Sequence, residues 1–300
     1  MSRKWITATI MSAIGFITPM SPAMVAPALS RISDTLSITS AIEIQLVLSI
    51  YLLGLGTGPL FLDPLGENYG RVIVLQLANL FYLTLNTAAG AARNEAQMSC
   101  FRFLSSLGAS ATLVVESGVL ADCFSEEDRG LAIALYNVDP LLGHPLGAVS
   151  GGFVTRYLSW RWIFYIVSIL DAVLKALAAL IEFTGNLHLH TLHTNDRNTG
   201  FLTSIQTSLL RSVRFLLTQH IIQILSLYLA YAYGLEYLTL STFCDLWVTQ
   251  YNEPLQIASL NFLSLGLVYL LGSVLCGYTI VNIAEKPCCV RISAFRTIHL

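Results

Sequence analysis

The chain has 300 residues, of which 55% are hydrophobic and only 11% charged, with a formal net charge of -2. Soluble domains carry about 25% charged residues, and the mean hydropathy of +0.66 points the same way. This balance excludes an ordinary soluble domain, predicts a membrane-embedded chain in contact with the lipid bilayer, and gives no reason to expect a nucleic-acid partner.

The N-terminal stretch places Arg3 and Lys4 before an apolar run, as a signal peptide would. That run is too long for a signal peptide and further runs follow it, so it is read as the first span. A spanning helix needs about 20 mostly apolar residues. Eight stretches qualify: residues 5–29, 43–62, 72–91, 97–122, 131–154, 162–183, 217–247 and 256–281. The seventh is long enough either to tilt or to end before Phe243. Connections are short except at 184–215, where GNLHLHTLHTNDRNTG is polar. The expected organisation is a six-helix bundle over 1–183, a cytosolic linker over 184–215, a partial second bundle over 216–281 and a divergent tail over 282–300.

Lysine and arginine set the orientation. With the N-terminus in the cytosol, inside segments hold Arg3, Lys4, Arg71, Arg129, Arg197, Arg211, Arg214, Lys286, Arg291 and Arg296. Outside segments then hold only Arg31, Arg93, Arg156 and Arg161.

Several chemistries find no motif. The lysines are Lys4, Lys175 and Lys286, none in a GxxxxGK[ST] loop, so ATP is not expected to power the chain. Neither HExxH nor GxSxG occurs, no cofactor is implied, and the chain is not expected to be an enzyme. The six cysteines form no CxxC pair and read as small buried hydrophobes. His188, His190 and His193 match no standard metal-ligand spacing and read as part of a solvated linker.

Three constellations stand out. DPLGENYGRV, Asp63 to Val72, separates spans two and three on the cytosolic side. Glu67 and Arg71 are at i,i+4 and Gly70 permits a tight turn, so the stretch is either a solvated loop or a cytosolic gate. In span five Gly143, Gly147 and Gly151, with Gly152 beside them, are spaced by four and share a helix face. Such a face allows close backbone approach in lipid, as plain packing or as a sliding contact between halves of a transporter. In span four Arg102 and Glu116 lie within about 40° of one face and about 21 Å apart along the axis. They either face a wet interior or snorkel to opposite surfaces.

Glu67-x-x-Gly70-Arg71 resembles the loop motif of the major facilitator superfamily. Phe101-Arg102-Phe103-Leu104 followed by Gly108 resembles its fourth-span motif, and Gly143-x-x-x-Gly147-x-x-x-Gly151-Gly152 the fifth-span motif of its antiporters. MVAPAL, EIQLVLSIYLL, LQLANLFYL, RGLAIALY and YLAYAYGLEYLTLSTF are similar to fungal drug:proton antiporters of twelve spans. The resemblance runs from about residue 5 to about 280. It implies an all-α membrane bundle, a central cavity rocked open to alternate sides, and proton-coupled efflux of a small organic molecule from the cell across the plasma membrane. On that reading Arg102, Glu116 and Glu236 serve the cavity and proton coupling.

Departures accompany the resemblance. Asp63, Val72 and Ala148 stand where the family usually has glycine, a basic residue and proline. Four of the twelve spans are missing, and after Tyr278 the tail VNIAEKPCCVRISAFRTIHL reads as a shifted frame or mis-spliced end. The rival reading is therefore a truncated, non-transporting membrane remnant or pseudogene product. Glu236, about 25 Å along span seven, is expected to offer its carboxylate to Arg102 or to a cationic substrate. Asp171 and Lys175 form a self-neutralising i,i+4 pair on span six. Asp139 and Asp245 have no partner suggested by sequence.

Overall fold

In this computed structural model, residues 2–69, 71–123, 126–185, 206, 210–211 and 214–284 are described, and the side chains at 2–8, 10–11, 67–72, 113–140, 178–185, 276–278 and 280–284 fall outside that description. All the regular structure among the described residues is helical. The helices are α1 (Ser2–Val25), a 3-10 turn (Ala26–Ala28), α2 (Leu29–Leu36), α3 (Ala41–Tyr69), α4 (Arg71–Gly90), α5 (Glu95–Cys123), α6 (Glu126–Tyr157), α7 (Arg161–Gly185), α8 (His220–Gln250), α9 (Leu255–Leu260) and α10 (Phe262–Ala284). Each of the eight apolar runs lies largely within these elements. Among the described residues five helical segments meet both the length and the hydropathy needed to cross a membrane. The polar 184–215 region and the tail lie largely outside the described residues.

Proline explains the break in the first span. Pro19 and Pro22 sit inside α1, and Pro27 opens the 3-10 turn, where its missing N–H costs nothing. The span then continues as α2 to Leu36, past the expected end at 29. Ser37 closes it in the left-handed region, φ 56°, its N–H donating to the Ser33 carbonyl. The seventh span is one continuous helix to Gln250, so the alternative end before Phe243 is not taken. The eighth is split at Asn261 into α9 and α10.

The expected turn at DPLGENYGRV is corrected. Asp63 to Tyr69 continue α3, and α4 begins at Arg71; Gly70 lies outside the described residues. Charged residues do not unwind a helix that leaves the hydrocarbon, because water solvates their ends while the backbone bonds persist.

Two seams of small residues bring helices close. Gly143, Gly147 and Gly151 press α6 onto α1: a Cβ on Gly147 would lie 2.7 Å from the Met20 carbonyl oxygen, and one on Gly151 2.2 Å from that of Met24. Gly54 and Gly58 of α3 meet Ser106 and Ser110 of α5, where a Cβ on Gly58 would be 1.8 Å from the Ser110 hydroxyl. In hydrocarbon, where burial gives no solvent-driven gain, such close van der Waals approach holds helices together. Polar side chains add to it. Thr18 and Thr112 hydroxyls are 3.0 Å apart, and Asn86 Nδ2 donates to the Phe164 carbonyl at 3.1 Å and to Ser168 Oγ at 2.9 Å. Arg161 Nη1 donates to the Gly90 and Ala92 carbonyls at 2.7 and 2.9 Å, capping the C-terminal end of α4.

Burial is uneven. The first span is 72% buried over its most apolar window, whereas α8 is only 6% buried. Ile221, Ile224 and Leu227 of α8 are exposed, an arrangement that hydrocarbon tolerates without penalty.

The seam geometry has a direct test. Gly151→Ala should destabilise the detergent-solubilised protein by about 1–3 kcal/mol, because backbone lies in the way. Gly56→Ala, with nothing within 4 Å of the added Cβ, should stay within about 0.5 kcal/mol of the native chain in the same thermal-unfolding assay.

Candidate functional site

The centre of the first six spans is polar. Arg102 projects from α5 into the bundle and is only 1% exposed. Its Nε donates to the Val47 carbonyl of α3 at 2.7 Å. Its guanidinium lies 5.1 Å from the Tyr51 ring centroid and 5.8 Å from that of Phe164. The aromatic faces offer negative quadrupole to the cation. Among the described residues no carboxylate pairs with Arg102, and its Nη2 has no hydrogen-bond partner. The neighbouring hydroxyls of Tyr51 and Tyr82 are likewise buried without one. Arg102 therefore turns inward, and the snorkelling alternative is excluded. Glu116 is on the same helix, but its side chain lies outside the described residues, as do those of Glu67 and Arg71, together with Gly70.

Asp171 and Lys175 form the expected ion pair on α7. Asp171 is 2% exposed, and the Lys175 ammonium lies 5.4 Å from the Tyr82 ring centroid. Internal pairing neutralises charge that would otherwise stand alone in a low-dielectric interior.

Glu236 requires a correction. It does not reach Arg102; its Oε1 lies 3.2 Å from His144 Nδ1 on α6. Rotation of α8 decides this, placing Tyr237 rather than Glu236 on the side of the buried arginine, where the Tyr237 ring is 7% exposed.

The glycine motif also divides. Gly143, Gly147 and Gly151 contact α1, within the first six spans, and not the far half. Gly152 alone faces the eighth span, where a Cβ would lie 2.4 Å from Ser259 Cβ of α9. Pro145 provides a second point there, its Cγ 3.0 Å from the Cβ position of Gly266 on α10. A backbone nearly devoid of side chains along one face can serve both neighbours.

Sequence reasoning missed a pocket. It has a volume of about 440 Å³ and opens between α2, α3 and the second half of α8. Ser33, Gln45, Ser241, Thr242, Asp245 and Thr249 supply its polar lining, and Leu29, Ile44 and Val248 its apolar wall. That size and mixture suit a small organic molecule. Asp245 was visible as a carboxylate without a sequence partner; the helices that surround it were not. A larger groove of about 680 Å³ lies among α3, α4 and α5, but its lining, including Phe61, Leu77 and Phe81, is almost wholly apolar. It offers space for an acyl chain and no group to orient a polar ligand.

Residues 11–295 match the family model described as Major Facilitator Superfamily. The chain belongs to the major facilitator superfamily. The match carries the likeness past residue 280, where the sequence resemblance was expected to stop. An uncharacterized transporter, C1529.01, of Schizosaccharomyces pombe is 35% identical over 291 residues, covering 91% of this chain and 59% of that protein. Efflux pump vrtL of Penicillium aethiopicum is 34% identical over 287 residues, covering 90% and 56%. The chain thus spans between half and two thirds of the length of these superfamily relatives. Among solved structures, a bacterial homologue of the lysosomal transporter Spinster, inward-facing and occupied, aligns with a TM-score of 0.65 at 16% identity, covering 93% of this chain and 61% of that one. The Escherichia coli xylose transporter XylE, partially occluded and inward open, aligns at 0.61 with 10% identity, covering 94% and 74%. These superfamily structures share the fold. An integral membrane protein follows from the family and the apolar helices.

The Arg102 environment makes contrasting variants informative. Arg102→Lys loses the planar Nε–H that reaches Val47, so thermal stability should fall by about 1.5–3 kcal/mol. Tyr51→Phe removes a hydroxyl without a partner and should change stability by less than about 1 kcal/mol. A large loss in Tyr51→Phe would show that its hydroxyl is bonded.

Proposed function

We propose that the chain is the substrate-handling part of a secondary active transporter that exports a small organic molecule, drug, toxin or secondary metabolite, in exchange for protons. The observation that carries this reading is the 440 Å³ pocket of mixed polarity where the first six spans meet span seven. Superfamily membership and relatives named as efflux pumps support it. Two bundles, over 1–183 and from 216 onward, would rock about that junction, joined by a cytosolic linker at 184–215. The positive-inside balance supports a cytosolic N-terminus, and an exporting role places the chain in the plasma membrane.

Arg102 would couple protons to movement, because an uncompensated buried cation favours the ionised form of any carboxylate that approaches it. Glu116 on the same helix face and Glu236 beside His144, neither of them in contact with Arg102, would take part in proton coupling elsewhere along the cavity. Glu67, Gly70 and Arg71 would form the cytosolic gate. Asp245 would hold the positive end of cationic substrates against the hydroxyls of Ser241 and Thr249, while the apolar wall accepts the rest. No step uses ATP, a metal or a cofactor.

Expression of the 300-residue chain in a drug-sensitive fungal host tests this. Amphipathic cations should be extruded, and a protonophore should stop the extrusion. Asp245→Asn should reduce efflux of cationic compounds by about two- to fivefold, the worth of one exposed charge contact, and leave neutral compounds unchanged. Membrane insertion with no efflux of any compound in the panel would contradict the transporter reading and return the remnant reading to favour.

A further inference from the structure

The pocket beside Asp245 has a hydrogen-bonding sense that its residue types alone do not disclose. Four hydroxyls line it, those of Ser33, Ser241, Thr242 and Thr249. A hydroxyl has one proton to give and two lone pairs with which to accept. In all four the proton is committed within the residue's own helix. Ser33 Oγ donates to the Ser30 carbonyl at 2.8 Å. Ser241 Oγ and Thr242 Oγ1 donate to the Leu238 carbonyl at 2.9 and 2.8 Å, and Thr249 Oγ1 to the Asp245 carbonyl at 2.7 Å. A carbonyl can only accept, so each hydroxyl is the donor in its bond. What these side chains keep for the pocket is lone pairs.

The rest of the lining is biased the same way. Asp245 adds a carboxylate, which in its ionised form only accepts. Among the described residues that line the pocket there is no Lys, Arg, His, Trp or Tyr. The side-chain donors left to it are the Ser30 hydroxyl and the Gln45 amide, both on exposed residues. The acceptors on α8 are also ordered. Ser241, Asp245 and Thr249 follow one another at one turn, about 6 Å apart along the axis. They form a stripe of acceptors that faces α2 and the start of α3 across the pocket.

We infer that this pocket selects ligands by the hydrogen-bond donors they carry. Protonated amines with N–H groups and polyhydroxylated compounds enter it, whereas quaternary ammonium ions and ethers of the same skeleton are rejected. A donor placed against the stripe replaces the water that the lone pairs lose. A methyl group placed there expels the water and returns no bond, and the unmade bond is the cost. Charge alone does not satisfy such a lining, since a quaternary ion brings charge and no proton. Nor does size decide, because about 440 Å³ admits the added methyl groups. The inference deepens the proposed substrate pocket and rests on it.

Equilibrium dialysis of the 300-residue chain in nanodiscs, corrected against empty nanodiscs, tests it with two matched pairs. Phenethylamine and N,N,N-trimethylphenethylammonium carry the same charge at neutral pH and differ in N–H groups. The neutral pair is 4-propylcatechol and its dimethyl ether. The donor-bearing member of each pair should bind about tenfold more tightly. Methylation adds apolar surface, so partition into lipid or onto the apolar wall runs in the opposite direction. Thr249→Val nearly keeps the side-chain shape and removes the lone pairs; it should narrow both ratios by about threefold. Thr249→Ser keeps the hydroxyl and should keep both ratios, which separates loss of the acceptor from disturbance of α8. Equal or tighter binding of the methylated member in either pair would overturn the inference. So would ratios that Thr249→Val leaves unchanged, or no specific binding of any of the four to the folded chain. Binding needs neither a proton gradient nor transport. A chain that binds in the expected order without exporting would contradict the export reading alone, and one that exports while binding in the reverse order would contradict this inference alone.

Discussion

A guanidinium that cannot leave hydrocarbon constrains the arrangement of the first six spans. Arg102 lies on an α5 face that is turned inward, and its charge is met by the Val47 carbonyl and by the faces of Tyr51 and Phe164. Those contacts fix α3 and α7 relative to α5. Ionisable groups in a membrane interior stand where function requires them or where partners neutralise them. Arg102 has aromatic company and no carboxylate among the described residues, whereas Asp171 is neutralised within its own helix by Lys175. Among the described residues Asp171 and Lys175 settle each other's charge, while Arg102 stands without a carboxylate.

Around that centre, packing is of two kinds. The contacts α1–α6 and α3–α5 run along repeated small residues and bring backbone against backbone over several turns. Such seams have many contacts to lose and no lubricating side chains, so they behave as fixed joints. Among the described residues α6 meets α8 chiefly where His144 pairs with Glu236, whereas α9 and α10 lie along α6 over more of its length, with Gly152 against Ser259 and Pro145 against Gly266. That second set joins α6 to the last helices of the chain. Motion in our account therefore belongs to the second set of contacts, and the first set carries it as a rigid body.

Much of this was legible in the sequence. Apolar runs located every long helix, because length and hydropathy are properties of a segment alone. The four-residue spacing of Gly143, Gly147 and Gly151 revealed a close-packing face for the same reason. The partner of that face was left open between plain packing and a contact between halves; Gly143, Gly147 and Gly151 meet α1 and Gly152 meets α9, since spacing defines a face and says nothing about what lies opposite. Gly54-x-x-x-Gly58 and Ser106-x-x-x-Ser110 carry the same signal and went unread. Glu236 was placed at the level of Arg102 by rise along α8, but rotation of that helix gave it to His144. At Asp63–Tyr69 polarity suggested a turn where the helix continues. The 440 Å³ pocket was not legible, because its lining comes from two segments far apart in the chain, one ending at Gln45 and the other starting at Ser241.

The central claim is that the α6 contacts with the last helices move while the small-residue seams do not. Two engineered disulfides test it directly. Positions 152 and 259 join α6 to α9, and positions 58 and 110 join α3 to α5; the Cβ positions are 2.4 and 2.7 Å apart, so at both sites the helices must part by about 1 Å to reach bridge geometry. Each bridge is formed and then reduced while efflux is followed. The account expects the Gly152→Cys/Ser259→Cys bridge to arrest transport reversibly and the Gly58→Cys/Ser110→Cys bridge to leave it intact. Unimpaired efflux with the first bridge closed, or arrest by the second, would contradict it.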